Sequence, residues 1–194
     1  MQTDIRTHRL CHVIAGAALA IVVIAGGKAS AAVTDAAPGG FSVSETAHIA
    51  APGDKVYAAL IAPQSWWSGK HTFSGNAANL TFDAKAHGCW CETMPDGGSV
   101  EHMTVVFVSP GKTLRLRGAM GPFQAMATTT VMTWSLKPSD DGTDVTLESA
   151  TGGYVKGGLE SLAPVVDRVF GQQVARLKTY VETGSVASLQ ETKP

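Results

Sequence analysis

The sequence is poor in cysteine, in surplus charge of either sign and in long apolar runs, and each shortage removes a class of protein. Three cysteines in 194 residues are too few for a disulfide-framed scaffold. Lys and Arg number 15 against 16 Asp and Glu, a net charge of −1, so nothing in the balance draws the chain to nucleic acid. The apolar run from Val13 to Ala25 stops at 13 residues, short of the ~20 that a spanning helix needs. Also absent are a Gly-rich phosphate loop opening a helix, a Gly-x-Ser-x-Gly elbow and a His-Glu-x-x-His zinc motif. "TGGYVKGG" is glycine-rich, but it joins a strand to a helix and reads as a flexible junction. No internal repeat is visible. The length suits one domain, and 44% hydrophobic residues suit a packed core.

Residues 1–31 read as a secretory signal peptide: Arg6 and Arg9 precede the apolar run, and Ala29-Ser30-Ala31 offers small residues for cleavage. Cys11 precedes the run instead of following it, which argues against a lipid anchor at the cleavage point. Cutting after Ala31 removes Arg6, Arg9, Lys28 and Asp4, leaving 12 basic and 15 acidic side chains. The expected location is periplasmic or secreted, with no stable membrane anchor after cleavage. Residues 32–40 are small and read as a linker, and residues 185–194 as a flexible tail.

Between them, "FSVSETAHIA" alternates like a strand, and "APGDKVYAALIAP" carries Pro52 and Asp54 at a helix start and Pro63 after its end. "WWSGKHTFSG" is an aromatic loop. Six β-prone segments follow, "NLTFDA", "CWCETM", "VEHMTVVFVS", "TLRLRGAM", "ATTTVMTWSLKP" and "TDVTLESAT", joined by turn residues as in an antiparallel meander. Leu162, Val166, Val169, Phe170, Val174, Leu177, Tyr180 and Val181 then recur at helical spacing on one face. The expected fold is α+β, a curved antiparallel sheet of about seven strands wrapped around one long carboxy-terminal helix.

With these elements placed, "FSVSETAHIAAPGDKVYAAL", "WWSG", "HGCWCE", "PDGG", "VSPGKTLRLRG", "VMTWSLKP" and "GLESLAPVVDRVFGQQVARLKTYVETG" together resemble the START-like, SRPBCC helix-grip superfamily. The similarity runs over residues 41–184 and is to its polyketide cyclase/dehydrase-like or chaperone-ATPase-activator-homologue branch. The resemblance implies a deep apolar cavity between sheet and helix. It implies no shared catalytic motif.

The hairpin of "CWCETMPDGGSVEHM" fixes which side chains reach such a cavity. A two-residue Asp96-Gly97 turn would place Glu92 opposite Glu101, Cys91 opposite His102 and Trp90 opposite Met103. Trp90, Glu92, Glu101, Met103 and Phe107 would then face inward, and Cys89, Cys91 and His102 outward. Outward thiols with His102 and the nearby His87 could hold zinc or copper, though the usual spacing is missing. A Cys89–Cys91 disulfide is disfavoured, because alternate strand residues lie roughly 7 Å apart. The plainest reading is two small strand residues. Two opposed carboxylates would share a site that raises one pKa, so Glu92 and Glu101, with His71 from the aromatic loop, are the candidate acid–base residues.

The expected ligand-lining residues are Trp66, Trp67, Trp90, Met103, Phe107, Met120, Phe123, Met132, Trp134, Tyr154 and Phe170, with Tyr154 folding over the pocket and no metal in the site. Arg115 and Arg117 alternate with Leu114 and Leu116 and belong outside. The function expected first is binding of a small apolar or aromatic molecule without a cofactor. A cofactor-independent cyclase, dehydratase or isomerase working through Glu92 and Glu101 comes second, and a protein-interaction domain third.

Overall fold

The computed structural model describes residues 30–187 and residue 189. Eight strands form one antiparallel sheet: β1 (Ser30–Ala37), β2 (Gly40–Ile49), β3 (Leu80–Phe82), β4 (Cys89–Thr93), β5 (Ser99–Ser109), β6 (Thr113–Gly118), β7 (Ala127–Ser139) and β8 (Gly142–Tyr154). Their spatial order is β1-β2-β8-β7-β6-β5-β4-β3. The meander from β3 to β8 runs sequentially, and β2 closes against β8. Helix α1 (Gly53–Leu60) and the long α2 (Ala163–Thr183) complete an α+β helix-grip fold.

Strand alternation builds the core. On β7, Thr130, Met132, Trp134 and Leu136 are buried, and on β6 Leu114 and Leu116 are buried between exposed Arg115 and Arg117. Helix α2 supplies Phe170, Val174, Leu177 and Val181 to the same core and makes its main contacts with β2 and β1. It ends at Gly184, whose N–H returns to Tyr180 O at 2.8 Å.

Two sequence expectations need correction at the amino-terminal edge. Residues 32–40 are not a linker: most of them lie in β1, which pairs with β2 from Ser30↔Thr46 to Ala37↔Gly40 across a bulge near Val33 and Asp35. The sheet therefore has an eighth strand. "AAVTDAA" shows no apolar alternation because β1 is an edge strand held by the ladder it offers β2, not by burying side chains; even Val33 is exposed. The signal-peptide reading lies almost wholly outside the described residues, as does most of the expected tail, although Val186 still packs on the core. Among the described residues no helix is long and apolar enough to cross a membrane.

Candidate ligand-binding site

The aromatic loop after α1 is fastened from three sides. Trp66 donates its indole N–H to Ala59 O at 2.8 Å and its own carbonyl accepts from Arg176 at 2.8 Å. Gln173, wholly buried on α2, accepts from the Ser68 N–H at 2.9 Å. Edge-on ring contacts then run from Trp134 to Trp66 (6.1 Å), Trp66 to Trp67 (5.5 Å), Trp67 to Trp90 (4.9 Å) and Trp90 to Phe82 (5.8 Å), separations at which such pairs attract. Five rings thus link loop and sheet, and Trp67 sits where this stack meets open space.

The β4–β5 hairpin departs from the expected register, and the departure creates the site's main polar feature. Met94 pairs with Gly98 (N–H to O, 2.8 Å) and the Gly97 N–H returns to Met94 O at 3.0 Å, so the loop is Pro95, Asp96 and Gly97. With φ of 86°, Gly97 takes the left-handed position that closes a three-residue hairpin loop. Register shifts by one, giving Thr93↔Ser99, Glu92↔Val100 and Cys91↔Glu101; a bulge then inserts His102, and beyond it Trp90 faces Met103 and Cys89 faces Thr104. The expected Glu92–Glu101 and Cys91–His102 oppositions do not exist. Trp90–Met103 does, because the bulge returns the residue that the turn took.

A bulge turns two consecutive residues the same way, and His102 and Met103 are 3% and 0% exposed. His102 Nε2 lies 3.0 Å from Glu92 Oε2. Glu92, 1% exposed, also accepts from the backbone N–H groups of Phe73 (3.0 Å) and Ser74. Burial alone would push its pKa up, but the bonds from Ser74, Phe73 and His102 outweigh it and hold the carboxyl below its ordinary value. For His102, burial outweighs the hydrogen bond and charge of Glu92, so its pKa is lowered and the imidazole is neutral near pH 7. A neutral ring donating Nε2–H to a carboxylate leaves Nδ1 as an acceptor, and Nδ1 is buried without a hydrogen-bond partner.

The two cysteines are bridged, against expectation. Their Cα atoms are 5.4 Å apart, well within bridging reach. The three residues from Cys89 to Cys91 lie opposite the four from Glu101 to Thr104. The contracted stretch of β4 and the bulge of β5 are therefore matched. With the thiols joined and His102 turned inward, the outward metal-ligand set dissolves, and among the described residues no cluster of three or more His, Cys, Asp or Glu could hold a metal.

Above this hairpin is a cavity of about 450 Å³, within the roughly 300–1,000 Å³ of small-molecule sites. Helix α2 walls it with Val165, Val166, Val169 and Phe170, the aromatic loop with Trp67 and residues 70–73, and the turn before β7 with Met120, Gly121, Pro122 and Phe123. His102, Thr130 and Thr151 line it from the sheet. The two threonine hydroxyls are 2.7 Å apart, so one hydrogen of the pair is spent between them. Phe73 and Val165, both exposed apolar side chains, belong to its lining as well.

Among the expected residues, the structure gathers Trp67, His71, Met120, Phe123 and Phe170 around this cavity. Trp66, Trp90, Met103, Met132 and Trp134 are buried in the core but not on its wall. Phe107 is corrected outright: a second bulge, between Val105 and Phe107, turns it to the outer face, 48% exposed under the Arg115 guanidinium at 5.7 Å. Tyr154 is 73% exposed and does not fold over the pocket. Glu101 is exposed and accepts from Thr104 Oγ1 at 2.8 Å; Glu92 is sealed behind His102 and His71 lies 3.3 Å from Gln172 Oε1. The three expected acid–base residues are thus not one constellation. His102 was missed, and the residue that signals it is Glu101, which strict alternation would have buried beside Glu92.

One further buried carboxyl stands apart. Glu45 on β2 is 0% exposed, neither of its oxygens has a hydrogen-bond partner, and the same holds for Oδ1 of Asp167 on α2. Burial first, and then the negative charge of the neighbouring Asp167, push Glu45 up to about 8. Gly171 makes room: a Cβ there would stand 3.2 Å from Glu45 Oε2. Glu45 is not part of the cavity wall.

A twisted antiparallel sheet gripping one long helix over an apolar cavity defines the START-like, helix-grip class. Within it, the chain belongs to the polyketide cyclase / dehydrase and lipid transport family, whose pattern matches residues 40–182. Among solved structures it is similar to a putative uncharacterized protein from Rhizobium leguminosarum (TM-score 0.54, 14% identity, covering 80% of this chain and 98% of that one). A protein from Rhodobacter sphaeroides is similar at TM-score 0.54 and 16% identity, over 78% and 98% of the two chains. So is a conserved protein of unknown function from Enterococcus faecalis, at 0.54 and 13%, over 85% and 83%. At such identities the likeness is one of fold. No curated protein matches the sequence.

Proposed function

We propose that this protein is exported and holds a small apolar or aromatic molecule in the cavity between sheet and α2. The observation that carries the reading is the cavity itself, whose wall combines Trp67, Phe123, Phe170 and the α2 valines with few polar groups. A domain acting only through its outer surface has no need of such a space, and this ranks the protein-interaction reading last. Export rests on the leader-like residues 1–31. Native mass spectrometry of protein recovered from the periplasm or medium tests both parts. The expected result is a discrete adduct lost on denaturation, on a chain whose mass begins near Ala32. An intact Met1 in the cell extract contradicts export, and a chain free of adduct that also fails to take up aromatic probes contradicts the binding role.

A cofactor-independent cyclase, dehydratase or isomerase is the second reading. Its basis is no longer a Glu92–Glu101 pair but a neutral, carboxylate-backed imidazole on the cavity wall, an arrangement suited to general-base chemistry. Substrate turnover that disappears in His102→Phe while binding persists is the result expected of an enzyme.

A further inference from the structure

His102, on the cavity wall, carries a ring nitrogen whose bonding is incomplete, and its chemistry narrows what the cavity can hold. His102 lines the cavity, Glu92 occupies its Nε2 at 3.0 Å, and Nδ1 is buried with no partner. Ionised Glu92 accepts only, so it fixes the hydrogen on Nε2 and the lone pair on Nδ1. The carboxylate is itself pinned by the N–H groups of Phe73 and Ser74, so it cannot follow the ring, and turning the ring breaks its bond to Glu92. Phe73 tilts against the ring at 5.9 Å, limiting its movement from the other side. A buried acceptor held in place without a partner is a site awaiting a donor.

We infer that His102 Nδ1 is the polar anchor of the cavity, accepting a hydrogen bond from a hydroxyl group on an otherwise apolar, aromatic-sized ligand such as a phenol or an enol. This rests on the ligand-cavity reading and deepens it. The ligand carries its donor on the edge facing β5, while Trp67, Phe123 and the α2 valines enclose its apolar body. Glu92 is a positioning residue, and the bridged Cys89–Cys91 stretch opposite the bulge helps keep His102 facing inward.

The test uses two probes of nearly one shape, 2-naphthol and 2-methoxynaphthalene, titrated by fluorescence against the protein with its disulfide intact and against His102→Phe, which keeps the ring and removes the acceptor. The intact protein is expected to prefer 2-naphthol by about tenfold, the worth of one well-placed hydrogen bond, with the preference lost in His102→Phe. Imidazole nitrogen NMR of the unsubstituted protein provides a second measurement should the variant fail to fold: the Nδ1 resonance of His102 should move with 2-naphthol and stay with 2-methoxynaphthalene. Equal affinity for both probes overturns the anchor and leaves the cavity reading standing. A preference that survives in a folded His102→Phe, or an unmoved Nδ1 resonance in the complex, also overturns it. If neither probe binds, the cavity reading fails and the anchor fails with it.

Discussion

Raising the pH from 6.5 to 8 should weaken the fold by about 1.5 kcal/mol, and replacing Glu45 by Gln should remove that slope. The cause is a carboxyl that must be neutral to stay where it is. Folded, Glu45 keeps its proton up to about 8, against 4.5 for the unconstrained side chain. Between those values the folded chain binds more protons than the unfolded chain, so stability falls as pH rises, at about 1.4 kcal/mol per unit until Glu45 itself begins to ionise. Other displaced groups act elsewhere. His102, lowered from 6.5, opposes Glu45 mainly below 6.5 and fades within about one unit above it, and the lowered Glu92 and Glu182 act near and below 4.5. Raised Tyr57 and Lys85 act above 10. The window from 6.5 to 8 therefore belongs to Glu45. Urea unfolding at half-unit pH steps, with the disulfide intact, gives the slope directly. Glu45→Gln keeps the volume under Gly171 and can donate to the unsatisfied Asp167 Oδ1, so its stability should no longer fall across the window, rising slightly with His102, and should exceed the wild type at pH 8. Parallel slopes for the two proteins would refute a neutral, buried Glu45.

Reducing the Cys89–Cys91 bridge, which closes a loop of only three residues, should cost about 1.5 kcal/mol. It should also relax the contraction opposite the β5 bulge, read as a shift of the His102 imidazole signals; unmoved signals would separate the bridge from the bulge. Trp66→Ala should cost about 3–5 kcal/mol, since it empties a fully buried site and removes the indole hydrogen bond to Ala59 O. Thermal unfolding measures it, and a loss below 1 kcal/mol would mean the ring stack does not hold the loop. Cross-strand NOEs should join Cys91 to Glu101; a Cys91–His102 pairing would restore the two-residue turn.

Most of the architecture can be read from the chain because it depends on period and punctuation. Alternation on β7 and β6 and the apolar stripe of α2 are tertiary requirements written locally, and each element lies close to its expected bounds. β1 is invisible to that reading, since an exposed edge strand of small residues needs only a free ladder to pair with. The site is less legible for a related reason. A bulge leaves little mark in a hydrophobic pattern, here a single glutamate where alternation expects burial, and two of them, at His102 and near Val106, decide which side chains reach the cavity. His102, Glu101 and Phe107 each exchange sides through these single-residue slips. Trp67, Met120, Phe123 and Phe170 do not depend on register, and the cavity gathers them all. The disulfide escaped for the same cause, because the expected spacing of roughly 7 Å assumes a regular strand.

The central claim is an open apolar cavity under α2 that takes up a small aromatic molecule. Methyl NMR of the protein titrated with 2-methoxynaphthalene tests it most directly. Saturable shifts should appear at Met120, Val165, Val166 and Val169, which line the cavity, while Val33, Val106 and Val131 on exposed surfaces stay in place. Shifts spread over the exposed valines, or no shift at the cavity methyls up to the solubility of the probe, would contradict it.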